Sequence, residues 1–168
     1  VYDFSSGDDG WKTYAKACTG SAENGILKVV SVEGVNDPQI SKTGLTVDTT
    51  KYDKVVVRFK YDNYGKEDKM CNLYFASDVT GGYNEAKNTK AYYNECYVDE
   101  EGYTWAEFVL FRNENWKGTC TALRFDPASG GNGTYLIDKI IITEKENGTS
   151  TPSAAVTGGK YDGITGMV

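Results

Sequence analysis

Short runs that alternate apolar and polar residues recur along this chain, each broken by clustered Gly, Asn or Asp, and nothing constrains its fold more. The runs are Gly25–Val32, Lys54–Tyr61, Met70–Ala76, Tyr103–Phe111, Thr119–Phe125 and Thr134–Thr143. Val, Ile, Tyr and Phe fill their alternate positions, which is the signature of half-buried strands. No window of useful length repeats apolar residues at helical spacing with caps. The 19 Gly and 13 Tyr among 168 residues suit many short strands joined by tight turns. The spacing therefore predicts an all-β fold, an antiparallel β-sandwich or jelly roll. The length is enough to bury a core without disulfides.

Composition changes after Thr143. Residues 144–168 read EKENGTSTPSAAVTGGKYDGITGMV, poor in apolar residues and rich in Ser, Thr and Gly. The expected organisation is a sandwich module at 1–143 and a linker or tail at 144–168, which implies a larger modular protein. The start at Val1 carries no signal peptide and reads as a mature or excised fragment. No stretch approaches the ~20 apolar residues of a membrane span. The net charge of −6 disfavours nucleic acid and suits a neutral partner.

The chain has no histidine, which removes Ser/His/Asp and Cys/His nucleophilic schemes and most zinc catalysis. Cys18, Cys71, Cys96 and Cys120 are widely spaced and contain no CxxC. They read equally as buried small hydrophobes and as one or two disulfides.

Successive strand side chains point to opposite faces. Val55, Val57 and Phe59 are assigned inward, as are Cys71, Leu73 and Phe75, and Ala106, Phe108 and Leu110. Val56, also on an outward position, accompanies Arg58 and Lys60 there. The three outward faces together hold Arg58, Lys60, Asn72, Tyr74, Tyr103, Trp105 and Glu107. Aromatic rings interleaved with amide, carboxylate and guanidinium groups match a sugar ring, whose C–H face stacks while its hydroxyls need donors and acceptors. The same faces also read as a solvated sheet with cross-strand pairs, Trp105 capping an edge of the core. Tyr92 and Tyr93 are the best further candidates among the tyrosines of residues 81–101.

The run WKGTCTALRFDP from Trp116, followed by GTYLIDKIIIT, resembles the closing strands of galactose-binding-like carbohydrate-binding modules. The opening YDFSSGDDGW, then NGILKV, resembles the start of the same fold. Such modules accompany secreted bacterial xylanases and cellulases, notably those of families 4, 16, 22 and 86, and the resemblance covers roughly residues 1–143. It implies that Trp11, Trp116, Arg124 and Asp126 are fold determinants. It also implies a structural calcium ion, with Asp138 as a carboxylate ligand and Asp3 as its N-terminal partner.

The leading expectation is a non-catalytic, extracellular, monomeric module. It would bind a plant cell-wall polysaccharide, xylan first and β-glucan second, and target an attached glycoside hydrolase to its substrate. Arg58, Asn72, Tyr74, Tyr92, Tyr93, Tyr103, Trp105 and Glu107 would form its groove. The alternatives are a small jelly-roll glycoside hydrolase, which needs a second carboxylate beside Glu107, and a structural or adhesive sandwich.

Overall fold

The computed structural model describes residues 1–35, 37–64, 70–128 and 132–145, with the backbone alone at 63 and 64. Twelve strands run in chain order: β1 Lys12–Thr13, β2 Cys18–Glu23, β3 Ile26–Ser31, β4 Ile40–Lys42, β5 Val47–Asp48 and β6 Tyr52–Tyr64. There follow β7 Met70–Ser77, β8 Asn88–Tyr92, β9 Tyr97–Val98, β10 Thr104–Val109, β11 Thr119–Asp126 and β12 Asn132–Glu144. Two single-turn 3-10 helices, Glu85–Lys87 and Tyr93–Glu95, interrupt them.

All described strand pairs are antiparallel, and they form two six-stranded sheets. One sheet has the order β2-β3-β12-β6-β10-β9. The other has β1-β4-β11-β7-β8, with β5 also on β11. The antiparallel β-sandwich expected from alternation is what forms, and the six predicted runs map onto β3, β6, β7, β10, β11 and β12. Alternation could not flag β1, β4, β5 and β9, which have two or three residues each, nor the polar β2 and β8.

Each predicted inward set is buried. Val55, Val57 and Phe59 meet Leu73, Phe75, Ala106, Phe108, Leu123 and Phe125 in one core. The sheets lock where Phe125 of β11 packs edge-on against Phe59 of β6 at 5.3 Å and Phe108 of β10 at 6.0 Å. Such T-shaped pairs add to the burial of large apolar area. Trp11 and Trp116 are core residues, as the resemblance implied. Trp116 sits edge-on to Phe75 at 5.1 Å and donates Nε1–H to the Tyr52 carbonyl at 2.9 Å. All four cysteines are free thiols, and Cys18, Cys71 and Cys120 are buried.

Residues 146–168 of the expected linker or tail lie outside the described residues. Glu144 itself ends β12.

Two turns depend on positive φ. Asn24 and Gly25 adopt φ 53° and 76°, the two-residue hairpin turn that matches strand twist, and they join β2 to β3. Gly118 adopts φ 76° just before β11, where an added Cβ would fall 2.4 Å from Asp78 Oδ1 and 2.5 Å from Val79 Cγ2. That Asp78 oxygen accepts from the Thr119 amide at 2.8 Å, so it is not free to retreat. Gly118→Ala is expected to cost about 1–3 kcal/mol in urea denaturation; an unchanged midpoint would refute the crowding.

Candidate functional site

The sandwich has two outer faces, and the residues expected to share one groove are divided between them. Arg58, Tyr103, Trp105 and Glu107 lie on or beside β6 and β10 of one sheet. Asn72, Tyr74 and Tyr92 lie on β7 and β8 of the other. A single groove through all of them is therefore ruled out. Alternation tells which residues of a strand share a face, but it does not tell which sheet the strand joins.

On the β6–β10 face the polar groups satisfy one another. Arg58 donates Nε–H to Asp99 at 2.9 Å and Nη1–H to Asp138 at 2.9 Å, and its Nη2 lies 3.3 Å from Glu101. Its guanidinium sits 3.9 Å from the Tyr103 ring centroid. Burial disfavours the Arg58 charge, but the Asp138 and Asp99 carboxylates outweigh it and hold its pKa above the ordinary value. Burial also opposes the Asp99 charge. Hydrogen bonds from Trp105, the Tyr103 amide and Arg58 overcome this and lower its pKa.

Trp105 is only 8% exposed, packed with Val56, Ile141 and Tyr97. It donates Nε1–H to Asp99 at 2.9 Å. Trp105 is thus a wedge closing a small outer cluster, which is the alternative its sequence position allowed, and it offers no open ring. Glu107 is ion-paired with Lys54 at 3.2 Å.

The β8–β7–β11 face is built differently. Leu123 and Phe125 point inward, so Arg124 and Asp126 point outward. Cross-strand register sets two rows: Lys90, Asn72 and Asp126 in one, and Asn88, Tyr74, Arg124 and Ser41 in the next. Arg124 grips Asp126 with two parallel bonds, Nε–H to Oδ1 at 2.8 Å and Nη2–H to Oδ2 at 2.7 Å. Its guanidinium lies 4.1 Å from the Tyr74 ring centroid and 5.6 Å from that of Tyr83.

Tyr74 donates its hydroxyl to Glu85 Oε1 at 3.0 Å, and Asn88 Nδ2–H donates to Glu85 Oε2 at 2.9 Å. Burial, then the bond to Glu85, pushes the Tyr74 hydroxyl up to about 12. Burial pushes Asp126 up to about 6 against the lowering pull of Arg124.

Two polar atoms on and beside this face are buried without a partner, Asn72 Oδ1 and the Tyr83 hydroxyl. Asn72 as a whole is 5% exposed. A buried acceptor without a donor is costly, and a water or a ligand hydroxyl would relieve it. Tyr92, directly opposite Met70 at the end of this face, is 45% exposed and is its open aromatic ring.

Tyr93 does not belong to any groove. It lies in the 3-10 helix after β8, is 4% exposed, stacks on Tyr61 at 4.1 Å and donates its hydroxyl to the Pro127 carbonyl. It takes the inward side that alternation gives the residue after outward Tyr92, so the two tyrosines could not have shared a groove. Glu85 sits in a loop without period and carries no readable signal in the sequence, whereas Arg124 and Asp126, implied by the resemblance to be fold determinants, stand on the outer face. The inward Leu123 and Phe125 were the signal that the Arg-x-Asp pair faces out.

The pair Asp3 and Asp138 does not fit a calcium ion. Asp138 already faces Arg58 at 2.9 Å and Lys139 at 3.7 Å. Asp3 accepts from the Ser5 hydroxyl at 2.7 Å and the Ser5 amide at 3.1 Å. Calcium needs a shell of oxygens without competing cations. Among the described residues no group of three or more His, Cys, Asp or Glu is placed to hold a metal ion.

No protein-family model matches the chain, and no curated protein sequence does. Solved structures share its fold, among them family 29 carbohydrate-binding modules. A glutamate-to-arginine variant superposes with a TM-score of 0.52 at 10% identity, covering 87% of this chain and 89% of that one. A lysine-to-alanine variant complexed with cellohexaose gives 0.51 at 11% identity, covering 81% of both chains. An aspartate-to-alanine variant complexed with mannohexaose gives 0.51 at 11% identity, covering 81% and 82%. The chain thus has the β-sandwich fold of these modules. Their family is 29, so they do not bear out the narrower resemblance to families 4, 16, 22 and 86.

Removing the cation at the centre of the β6–β10 face would leave Asp99 and Asp138 without it. Arg58→Met is expected to lower unfolding stability by about 3 kcal/mol or more. Urea denaturation checks this, and a loss below ~1 kcal/mol would mean solvent already screens the cluster.

Proposed function

We propose that this chain is a non-catalytic module that binds a neutral β-1,4-linked polysaccharide of the plant cell wall on its β8–β7–β11 face. The observation that carries the reading is the arrangement on that face: Arg124, clamped by Asp126 and stacked on Tyr74, beside the unpartnered acceptor of Asn72, with Tyr92 open to solvent. The clamp fixes the donors of Arg124 in advance, so a sugar hydroxyl meets them at little ordering cost. Tyr92 offers a ring for C–H stacking, and Lys90 of the Asn72 row adds a donor. Opposite charges alternate here, Arg124 and Lys90 against Asp126 and Glu85, which suits an uncharged chain.

The neighbours support the same reading. Two of them are alanine variants of an arginine and of an aspartate two positions later, made to probe ligand recognition. Arg124 and Asp126 have that spacing. Because the ligands named for the neighbours are cellohexaose and mannohexaose, glucan and mannan backbones stand ahead of the xylan first expected. The wider reading is an extracellular, monomeric module that keeps an attached glycoside hydrolase at its substrate by raising its effective concentration.

Affinity electrophoresis in gels containing β-glucan, glucomannan, xylan or no polysaccharide tests the proposal. Retardation is expected in the glucan and mannan gels, with Kd on the order of micromolar to millimolar. Arg124→Ala and Tyr92→Ala are each expected to weaken it about tenfold or more, whereas Tyr103→Ala is not. Migration unchanged in every gel would overturn the reading, as would release of soluble sugar by the protein.

The clamp also predicts a pH dependence. Asp126 is anionic above about 6. As pH falls through that value it takes up a proton and can no longer accept both bonds from Arg124. Hexaose affinity is therefore expected to fall below pH 6 and to hold above it. Calorimetry from pH 4.5 to 8 checks this, and a flat profile would mean the Asp126 charge is not needed.

A further inference from the structure

The connection between β7 and β8 contains a buried cation that the binding face does not itself use. Lys87 is 2% exposed, as buried as the largest core side chains. Its Nζ donates to the Thr80 carbonyl at 2.5 Å. Among the described residues no carboxylate lies within ion-pairing distance of it. An ammonium withdrawn from water without a counter-charge is an expensive occupant of an interior position, and a hydrocarbon of equal length would pack there more cheaply. What the ammonium adds is a bond that ties residue 87 back to residue 80.

The arc between those two points carries Tyr83 and Glu85. Tyr83 sets its ring 5.6 Å from the Arg124 guanidinium, and Glu85 accepts the Tyr74 hydroxyl. The arc has further ties at its margins. Thr80 donates its hydroxyl to the Asn115 carbonyl at 3.2 Å, and Asn113 and Asn115 donate to the Ala86 carbonyl at 2.9 and 3.3 Å. Asn84 caps the Ala86 amide at 2.9 Å. Those ties are exposed or half-buried; the Lys87 bond is half-buried as well, but its donor is the end of a side chain only 2% exposed.

From this geometry we infer that Lys87 is a positioning residue: by closing the Thr80–Lys87 arc it holds Tyr83 and Glu85 against Tyr74 and Arg124. The inference rests on the binding face proposed above. Lys87 touches no ligand, and its effect on binding runs through those two side chains alone.

Lys87→Met keeps the length and burial and removes the donors. Its melting temperature is expected within a few degrees of the parent, while amide exchange at Tyr83–Lys87 speeds up and cellohexaose or mannohexaose affinity falls about tenfold. In a Tyr83→Ala/Glu85→Ala background, Lys87→Met should change affinity by less than about twofold, because the groups it positions are gone. Lys87→Arg, which retains donors, should recover most of the affinity.

Unchanged exchange in the arc would overturn the inference, as would faster exchange with unchanged affinity or an undiminished loss in the double-alanine background. If Lys87→Met fails to melt cooperatively, Lys87→Gln is measured in its place, and failure of both would make Lys87 a core residue and overturn the role. If the parent protein binds neither hexaose, the functional reading falls by itself, and arc exchange still reports whether Lys87 fixes the arc.

Discussion

Phe125 is the contact on which the rest of the molecule turns. From β11 of one sheet it packs edge-on against Phe59 and Phe108 of the other. With that ring and Leu123 committed to the core, the pleat leaves Arg124 and Asp126 no direction but outward. The outward pair then finds its neighbours by register alone, since Tyr74 and Asn72 stand directly opposite on β7. One buried aromatic cluster thus sets both the seam of the sandwich and the chemistry of its outer face.

The two outer faces differ in how far their polar groups are already paired. Around Arg58, three carboxylates and two aromatic rings converge on one guanidinium. Trp105, Val56 and Ile141 close the neighbouring surface. Such a cluster has little left to offer a ligand. Around Arg124 the clamp is equally tight, but an amide oxygen and a phenol beside it lack partners, and a tyrosine ring stands open. Both faces are rich in the residue types that bind sugars. They differ in whether those groups have already satisfied one another.

Much of the fold was legible because strand burial has a period of two. Val55, Val57 and Phe59, or Leu73 and Phe75, could be placed without any structure. Sheet membership was not legible, because which strands pair depends on contacts distant in sequence; Asn72 and Trp105 therefore looked like neighbours and lie on opposite faces. At single-residue scale Tyr92 and Tyr93 take opposite sides, one open and one in the core, as alternation requires of neighbours; the pairing of Ala91 with inward Cys71 fixes which of them faces out. Of the candidate site, Asn72, Tyr74 and Tyr92 were found from sequence. Glu85 and Tyr83 gain their places from a loop whose shape is set by hydrogen bonds, and composition does not encode those in any readable period.

Recognition is proposed for the face of β8, β7 and β11. The most direct measurement is a 15N-resolved NMR titration of the whole chain with cellohexaose and with mannohexaose. The largest shift changes are expected at Asn72, Tyr74, Lys90, Tyr92, Arg124 and Asp126, with Arg58, Tyr103 and Trp105 unmoved. Shifts centred on Arg58 and Trp105 instead would contradict the proposal.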